Sequence, residues 1–235
     1  MTRIPFQLAI SIIALVLGLC AAAQAGPPLI CHAIRIGQAK SLPWTTEGLS
    51  GAANYDLKTL VSDTMAILVP DTPVLVRMET LRRATIYARK DPQVARELLS
   101  RLYQRANDLQ TPGRMRALAW FDAGYLVACY KQWIGRNLPH MTDGLRLDPN
   151  PAAGLDGYAW VRKAISLQGS DPEMEFAAAL MTLEGPHQAH QTHVQKAMLG
   201  AKSDPLLTRN LSSRYDGGTH ETMAEMFSRI TTAKN

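Results

Sequence analysis

Apolar side chains follow helical spacing along most of this chain, and one stretch is apolar on every side. Residues 117–130 contain a single charged residue, Asp122. A surface helix has one apolar stripe, whereas a helix that is apolar all round is buried by its neighbours. The stretch is shorter than the ~18 residues that a membrane span requires. We therefore expect an all-α fold organised around this helix.

The segments on either side are predicted to be amphipathic helices with capped starts. A side-chain oxygen before a proline can accept hydrogen bonds from the first free N–H groups, and proline has no N–H to leave unpaired. Short loops between such helices favour antiparallel hairpins, either stacked as repeats or packed in an irregular bundle. The dipeptides of this form are Thr72-Pro73, Asp91-Pro92, Thr111-Pro112, Asp171-Pro172 and Asp204-Pro205.

Composition divides the chain into a leader, an arm and a helical domain. Residues 26–54 are punctuated by proline and glycine and are expected to form an irregular arm over the helical domain, residues 55–235. Within that domain, residues 135–153 are predicted to be a long loop, which in a compact domain is functional or loosely ordered. The side chains expected to hold the arm in place are Ile30, Ile34, Ile36 and Trp44.

Residues 1–25 have the pattern of a secretory signal peptide. Arg3 supplies the positive start, residues 8–23 are apolar, and Ala23-Gln24-Ala25 matches the small-x-small cleavage pattern. We expect cleavage after this tripeptide and export to the periplasm or the extracellular space, with no membrane span left in the mature chain. Lipid attachment at Cys20 and an uncleaved membrane anchor are the alternatives.

The mature chain would keep two cysteines, Cys31 and Cys129. An exported protein meets an oxidising compartment, so a disulfide between them is the first expectation. In the alternative, Cys129 is a small apolar core residue, and Cys31 stays a thiol or pairs between chains. Because Cys31 precedes His32, a further alternative is a nucleophile pair or half of a metal site.

Positive charge is concentrated in one part of the helical domain. Between residues 77 and 116 there are ten basic and four acidic residues, while the whole chain has a net charge of +5. One interpretation is a set of solvated helix faces, and the other is a patch for an acidic partner or an anionic polymer. Export and the lack of a recognised motif argue against nucleic acid. The candidate patch residues are Arg77, Arg82, Arg83, Arg96, Arg101 and Arg105.

An internal repeat has an offset of 33 residues: the segment from Val161 to Pro172 reappears from Val194 to Pro205, each ending in Ser-Asp-Pro. A period of about 34 residues is typical of helix–turn–helix solenoid units. Trp120 and Gly124 have the spacing found in the first helix of a tetratricopeptide repeat, and residues 73–205 resemble that family. The resemblance implies stacked hairpins with a concave groove for a peptide or protein, and it implies no catalytic residues.

The sequence thus favours an exported, non-enzymatic scaffold that binds a protein or peptide and uses no cofactor. Walker loops, dinucleotide-binding glycine patterns, Gly-x-Ser-x-Gly elbows and His-Glu-x-x-His motifs are absent from it. Aromatic and arginine side chains dominate binding hot spots. The aromatic residues that we expect at the partner-binding surface are Trp120, Tyr125, Tyr130, Trp133, Tyr158 and Trp160.

The alternative function is a metal-binding protein or metalloenzyme that uses His187, His190 and His193. Neutral imidazoles bind zinc or copper. A helix turns ~100° per residue, however, so side chains spaced by three fan out over ~120° and converge poorly.

The lone charge of the central helix, Asp122, is costly to bury without a partner. We expect an arginine from a neighbouring helix or a loop N–H to pair with it. The alternative is a functional carboxylate that lines the groove.

Overall fold

Aspartates fix where several of the helices begin. In the computed structural model, which describes residues 29–45, 51–110, 112–132, 149–185 and 187–215, Asp91, Asp171 and Asp204 each accept hydrogen bonds from the N–H groups two and three residues later, at 2.8–3.4 Å. A proline is the first helical residue after each of these caps. The predicted aspartate–proline starts therefore form through the expected hydrogen bonds.

The described residues contain eight α-helices and no strand, so the predicted all-α class is confirmed. A 3₁₀ turn at Leu57–Thr59 leads into the first helix. The helix bounds are α1 Leu60–Ile67, α2 Val74–Ala88, α3 Pro92–Asn107, α4 Gly113–Lys131, α5 Gly157–Gln168, α6 Pro172–Met181, α7 His187–Ala201 and α8 Pro205–Tyr215.

The threonine–proline pairs do not behave as the aspartate–proline pairs do. Pro73 is the extended residue before α2, with ψ 151°, and neither it nor Thr72 caps that helix with a side chain of its own. The Thr72 hydroxyl instead donates to the Ile67 carbonyl at the end of α1, at 2.5 Å. Pro112 likewise precedes α4, and Thr111 lies outside the described residues. A threonine hydroxyl can donate as well as accept, and here the preceding helix end offers an acceptor.

Helix α4 is the buried centre of the fold, as its all-round apolar sequence predicts. Residues 117–127 are buried without exception, and α2, α3, α5 and α6 all pack against the helix. Its closest neighbour is α5, where the Gly157 carbonyl oxygen would lie only 2.7 Å from a Cβ on Gly124. A larger residue at position 124 would push the two backbones apart.

The described parts of the predicted arm, residues 29–45 and 51–54, contain no helix or strand, and side chains of α2 bind the backbone of the first part. Ile30 and Ile34 are buried in the core, and Ile36 and Trp44 are partly buried against it. Polar side chains of α2 bind the arm's backbone, as the Tyr87 hydroxyl does by donating to the Pro43 carbonyl at 2.6 Å. The arm is therefore an integral part of the packing around α2.

Helix α3 has one buried stripe and one solvated face. The buried residues are Ala95, Leu98, Leu99, Leu102 and Ala106. Leu109 lies beyond the end of α3 at Asn107 and is 75 % exposed. The polar face of α3 is consequently the larger part of its circumference, and it faces away from α4.

Several sequence predictions concern residues outside the described part of the chain. They are the signal peptide at 1–25, Trp133, and most of the predicted loop at 135–153. Among the helices that the structure describes, none combines the length and the apolar character that crossing a membrane demands.

Candidate partner-binding surface

The solvated side of α3 and the start of α5 enclose a groove of about 310 Å³. Three of its residues, Arg96, Leu99 and Tyr103, follow the i, i+3, i+7 spacing that puts side chains on one side of a helix. The opposite wall comes from the turn before α5 and from its first helical turn. We call this the aromatic groove, and it is lined by Arg96, Leu99, Ser100, Tyr103, Pro151, Leu155 and Trp160.

Two stacked rings form the floor of the aromatic groove. Tyr103 and Trp160 lie with ring centroids 5.1 Å apart and planes inclined by 26°. Trp120 of the central helix meets Trp160 edge-on at 5.7 Å, and the Lys163 ammonium lies 3.5 Å from the Trp120 ring centroid. Tyr103 is 43 % exposed, whereas Trp120 is 5 % exposed. The buried tryptophan therefore supports an aromatic pair that remains accessible to a partner.

The wall formed by residues 150–155 is fastened to the end of α4. The Asn150 side-chain amide donates to the Tyr130 carbonyl at 2.7 Å, and the Lys131 ammonium donates to the Leu155 carbonyl at 2.9 Å. Asp156 then caps α5 by accepting from the Ala159 N–H at 3.0 Å. These bonds hold the wall at a set distance from α3, so the groove is largely preformed.

The predicted aromatic set divides between this groove and the core. Trp160 lines the groove, and Trp120 lies beneath it. Tyr125 and Tyr130 are fully buried because they belong to the all-round buried part of α4, and burial removes them from any surface in this conformation. Tyr158 is partly exposed and lies outside the groove, where its hydroxyl contacts His193.

Tyr103, Pro151 and Leu155 are groove residues that were not among the sequence candidates. The sequence did contain a signal that could have identified Tyr103 as a surface candidate. It is an aromatic residue on the polar side of a helix whose apolar stripe is otherwise regular. Pro151 and Leu155 precede α5 in irregular structure, where periodicity gives no information.

The six arginines of the predicted patch do not share a surface. Arg77 and Arg82 are 1 % exposed, and Arg83 and Arg105 are partly buried in ion pairs. Arg96 and Arg101 are exposed on α3. Both interpretations of the patch, solvated helix faces and a binding surface, assumed exposed arginines, and neither applies to Arg77 and Arg82. An arginine can enter a core when carboxylates and carbonyls accept hydrogen bonds from its donors.

Asp122 is fully buried between two arginines from neighbouring helices. Its Oδ2 atom lies 2.7 Å from Arg77 Nη1 of α2 and 2.5 Å from Arg105 Nη2 of α3. Burial raises the pKa of Asp122, and the two guanidinium charges oppose that rise. The two arginines also bind the last carbonyls around α1, those of Leu68 and Val69. Asp122 is therefore part of an ion cluster that joins four helices.

A second ion cluster joins α2 to the arm. The Glu79 carboxylate accepts from Arg82 Nε and Nη2 at 2.8 Å, from Arg83 Nε at 2.7 Å and from the Ile34 N–H at 2.8 Å. Arg82 and Arg83 donate in addition to arm carbonyls, those of Ile30 and Leu42. The arm backbone has no hydrogen-bond partners of its own in a helix or sheet, and the polar side chains of α2 take their place.

His193 belongs to a third cluster, between α5, α6 and α7. Its Nδ1 atom lies 2.5 Å from Glu175 Oε2, and its Nε2 atom lies 2.8 Å from the Tyr158 hydroxyl. Burial alone would raise the pKa of Glu175, but hydrogen bonds from His193, Lys196 and Ser170 lower it overall. His193 is 8 % exposed, and its contacts tie α7 to α6 and α5.

The three histidines do not converge. His190 Nδ1 lies 3.0 Å from the Ala179 carbonyl oxygen, and His187 contacts Gln191 on the exposed side of α7. Their different partners follow from the angular spread of positions three residues apart on a helix. Within the described ranges no group of three or more His, Cys, Asp or Glu side chains could hold a metal ion.

Cys129 lies fully buried in α4, and Cys31 is half-buried in the arm. No disulfide joins these two residues in the structure. Burial raises the pKa of the Cys129 thiol strongly, so this group is a small apolar core residue rather than a reactive thiolate.

Comparison with known proteins identifies no relative: no protein-family model matches the chain, and no curated protein or solved structure matches it either.

Proposed function

We propose that the mature chain is an exported helical-repeat scaffold whose aromatic groove binds an acidic segment of a protein or peptide. The observation that carries the proposal is the accessible Tyr103–Trp160 stack beside Arg96. Rigid aromatic side chains offer a large contact area at little entropic cost, and arginine pairs with carboxylates. The preferred segment therefore has one aromatic or apolar anchor residue next to aspartate or glutamate.

The packing of neighbouring helices supports the repeat part of the proposal. Trp120 and Tyr130 of α4 contact Tyr103 and Ala95 of α3 in reversed order, which is the arrangement of an antiparallel hairpin. Stacked hairpins bind partners on the extended concave surface that the small rotation from unit to unit creates. In this proposal the aromatic groove, between α3 and the helix that follows α4, belongs to that surface.

The charge surrounding the groove favours an acidic segment over a basic one. Arg96 lines both the groove and an adjoining shallow surface of α3 that also carries Arg101. Glu97 lies on the same shallow surface, so the local charge is positive but small. We therefore expect an affinity that depends on the anchor residue first and on salt second.

Binding can be tested with a random-peptide display library selected on the mature chain, followed by affinity measurements on a synthetic copy of the most enriched peptide. Enriched peptides should combine an aromatic or apolar residue with acidic neighbours. Tyr103→Ser and Arg96→Glu should each weaken binding about tenfold or more, which corresponds to ~1.4 kcal/mol.

Two exposed positions elsewhere supply matched controls. Leu167→Ser removes an exposed apolar side chain from α5, and Arg209→Glu reverses an exposed charge on α8. Both should leave peptide affinity unchanged. Equal binding by the groove variants and the controls would place the peptide elsewhere and reject the proposal.

Export is tested separately from binding. The full chain should be recovered from the periplasmic or extracellular fraction with Gly26 as its first residue, because the predicted cleavage follows Ala25. A chain that keeps residues 1–25, or one that carries lipid on Cys20, would contradict this part of the proposal while leaving the groove untouched.

A further inference from the structure

A second and smaller cavity opens on the other side of α3. Its volume is about 100 Å³, which is room for about three water molecules. Arg105 lines it, and this residue lies about 200° around the helix from Tyr103 of the aromatic groove. The cavity is lined by Leu68, Pro70, Arg77, Arg105, Met115 and Leu118.

The charge at this cavity is entirely positive among the lining residues that the structure describes. Arg77 and Arg105 both reach it, whereas Asp122, which pairs with both arginines, is fully buried behind them. Two guanidinium groups share one carboxylate, so the cluster keeps an excess positive charge when Asp122 is ionised. That excess is located at the cavity wall.

The geometry of Arg105 leaves donors for a second anion, whereas Arg77 is 1 % exposed and binds Thr72, Asp122 and Val69. Each terminal guanidinium nitrogen carries two hydrogens. Arg105 Nη1 uses one on the Leu68 carbonyl at 2.8 Å and Nη2 uses one on Asp122 at 2.5 Å. Arg105 is also 28 % exposed at its side chain, so its remaining N–H groups can meet a ligand from solvent.

The rest of the wall is apolar and reaches the surface. Leu68 and Leu118 are buried, while Pro70 and Met115 are exposed, the latter by 45 %. A ligand that places an anionic group on the Arg105 guanidinium would therefore lay its next carbons against Met115 and Leu118. Planar arginine forks match the two oxygens of a carboxylate.

We propose that this cavity, the carboxylate pocket, binds a carboxylate that carries a short apolar substituent. The carboxylate can come from a small organic acid or from the C terminus of a peptide. The two sources share the recognition chemistry and differ in what continues past the mouth at Pro70 and Met115. The pocket is separate from the aromatic groove, so the proposal stands or falls independently of peptide binding there.

The test uses the mature chain with labelled methionine and leucine methyl groups, titrated with propionate and N-acetylvaline and followed by NMR. Both acids should shift the Met115 and Leu118 methyl signals in a saturable way, and the neutral amides propanamide and N-acetylvalinamide should not. Tighter binding of N-acetylvaline would identify the ligand as a peptide C terminus, and tighter binding of propionate would identify it as a small organic acid.

Three variants locate the binding, and the two tryptophan variants leave the ion cluster untouched. Met115→Trp fills the mouth of the pocket and should abolish the shifts at Leu118. Leu199→Trp, at a residue that is 46 % exposed on α7, is the matched control and should preserve them. Arg105→Lys keeps the charge but loses the fork, and it should weaken the acids about tenfold.

Three results would overturn the proposal. The amides could shift the two methyl signals as strongly as the acids do, the acids could produce no saturable shift, or Met115→Trp could bind propionate as tightly as the wild type. Circular dichroism of each variant confirms that the helices are retained before any loss is attributed to the pocket.

Discussion

Helices α2 and α3 follow one another along the chain, and both are rich in arginine, yet they have opposite relations to solvent. Every residue of α2 except Arg83 is buried. On α3 the buried residues form a single stripe, and Arg96 and Arg101 are exposed. The same residue type is therefore part of the core in one helix and part of the solvated surface in the next.

The difference lies in what each helix has to pair with. The arm covers the side of α2 that would otherwise face water, and its backbone carbonyls and N–H groups need partners. Arginine and glutamate side chains supply them, as the Glu79 and Arg82 contacts illustrate. Nothing in the described part of the chain covers the outer side of α3 at Arg96 and Arg101, so these two arginines stay hydrated at little cost.

The largest difference between α2 and α3 should be in the free energy of unfolding that is lost when one glutamate on each helix is neutralised. Glu79→Gln would leave Arg82 buried with a weakened partner, and it should lower the free energy of unfolding by about 3–5 kcal/mol. Glu97→Gln on the exposed side of α3 should change it by less than about 0.5 kcal/mol. Urea unfolding of both variants at pH 7 measures the difference, and similar losses would mean that the Glu79 cluster contributes no more than a surface pair.

A smaller contrast should appear in the pH dependence of stability at the start of α2. Glu173 accepts the Leu75 N–H at 3.0 Å, and burial raises its pKa from 4.5 to about 7. The folded state thus holds this proton more tightly than the unfolded state, so stability falls as pH rises from about 4.5 to 7.

Glu173→Gln keeps an acceptor for Leu75 and removes that titration. The variant should be more stable than the wild type at pH 8 by about 1–3 kcal/mol, and the advantage should vanish near pH 4. Unfolding curves across this range provide the measurement, with Glu97→Gln as the reference for an exposed glutamate. A constant difference between variant and wild type at all pH values would argue against the raised pKa.

The smallest difference in unfolding free energy should come from replacing one arginine on each helix, Arg83 beside the arm and Arg96 on the solvated face of α3. Arg83 is 18 % exposed at its side chain and donates to Glu79 and to the Leu42 carbonyl. Arg83→Met should cost about 1–2 kcal/mol because the carbonyl loses its donor. Arg96→Met should cost less than about 0.5 kcal/mol. Thermal unfolding of the pair separates these values, and equal costs would show that Leu42 finds a replacement donor.

The all-α class and the central helix were predictable because each depends on local information. Apolar residues on all sides of 117–130 allow one outcome, burial by neighbouring helices. Aspartate before proline defines a helix start through hydrogen bonds that span two or three residues. The tetratricopeptide-like arrangement stays a prediction, because it depends on how successive hairpins are rotated.

The candidate surface was predictable only in part. Trp160 and Arg96 were foreseen as aromatic and basic candidates, whereas Tyr103 was not. Aromatic composition cannot distinguish Tyr125 in the core from Tyr103 on the surface. Their difference in exposure depends on which helices surround each position, and those helices are distant in sequence.

By itself, the sequence determined the all-α class, the aspartate-capped helix starts and the burial of the segment around Asp122, since these depend on side-chain periodicity and on hydrogen bonds between near neighbours. Only the tertiary structure decided that Arg77 and Arg82 enter the core and that Tyr103 and Trp160 meet across a groove. A charged side chain is buried or exposed according to the partners that other segments bring to it. Arg77 pairs with Asp122 of α4, and Arg82 donates to the Ile30 carbonyl of the arm, and these partners lie 45 and 52 residues away along the chain.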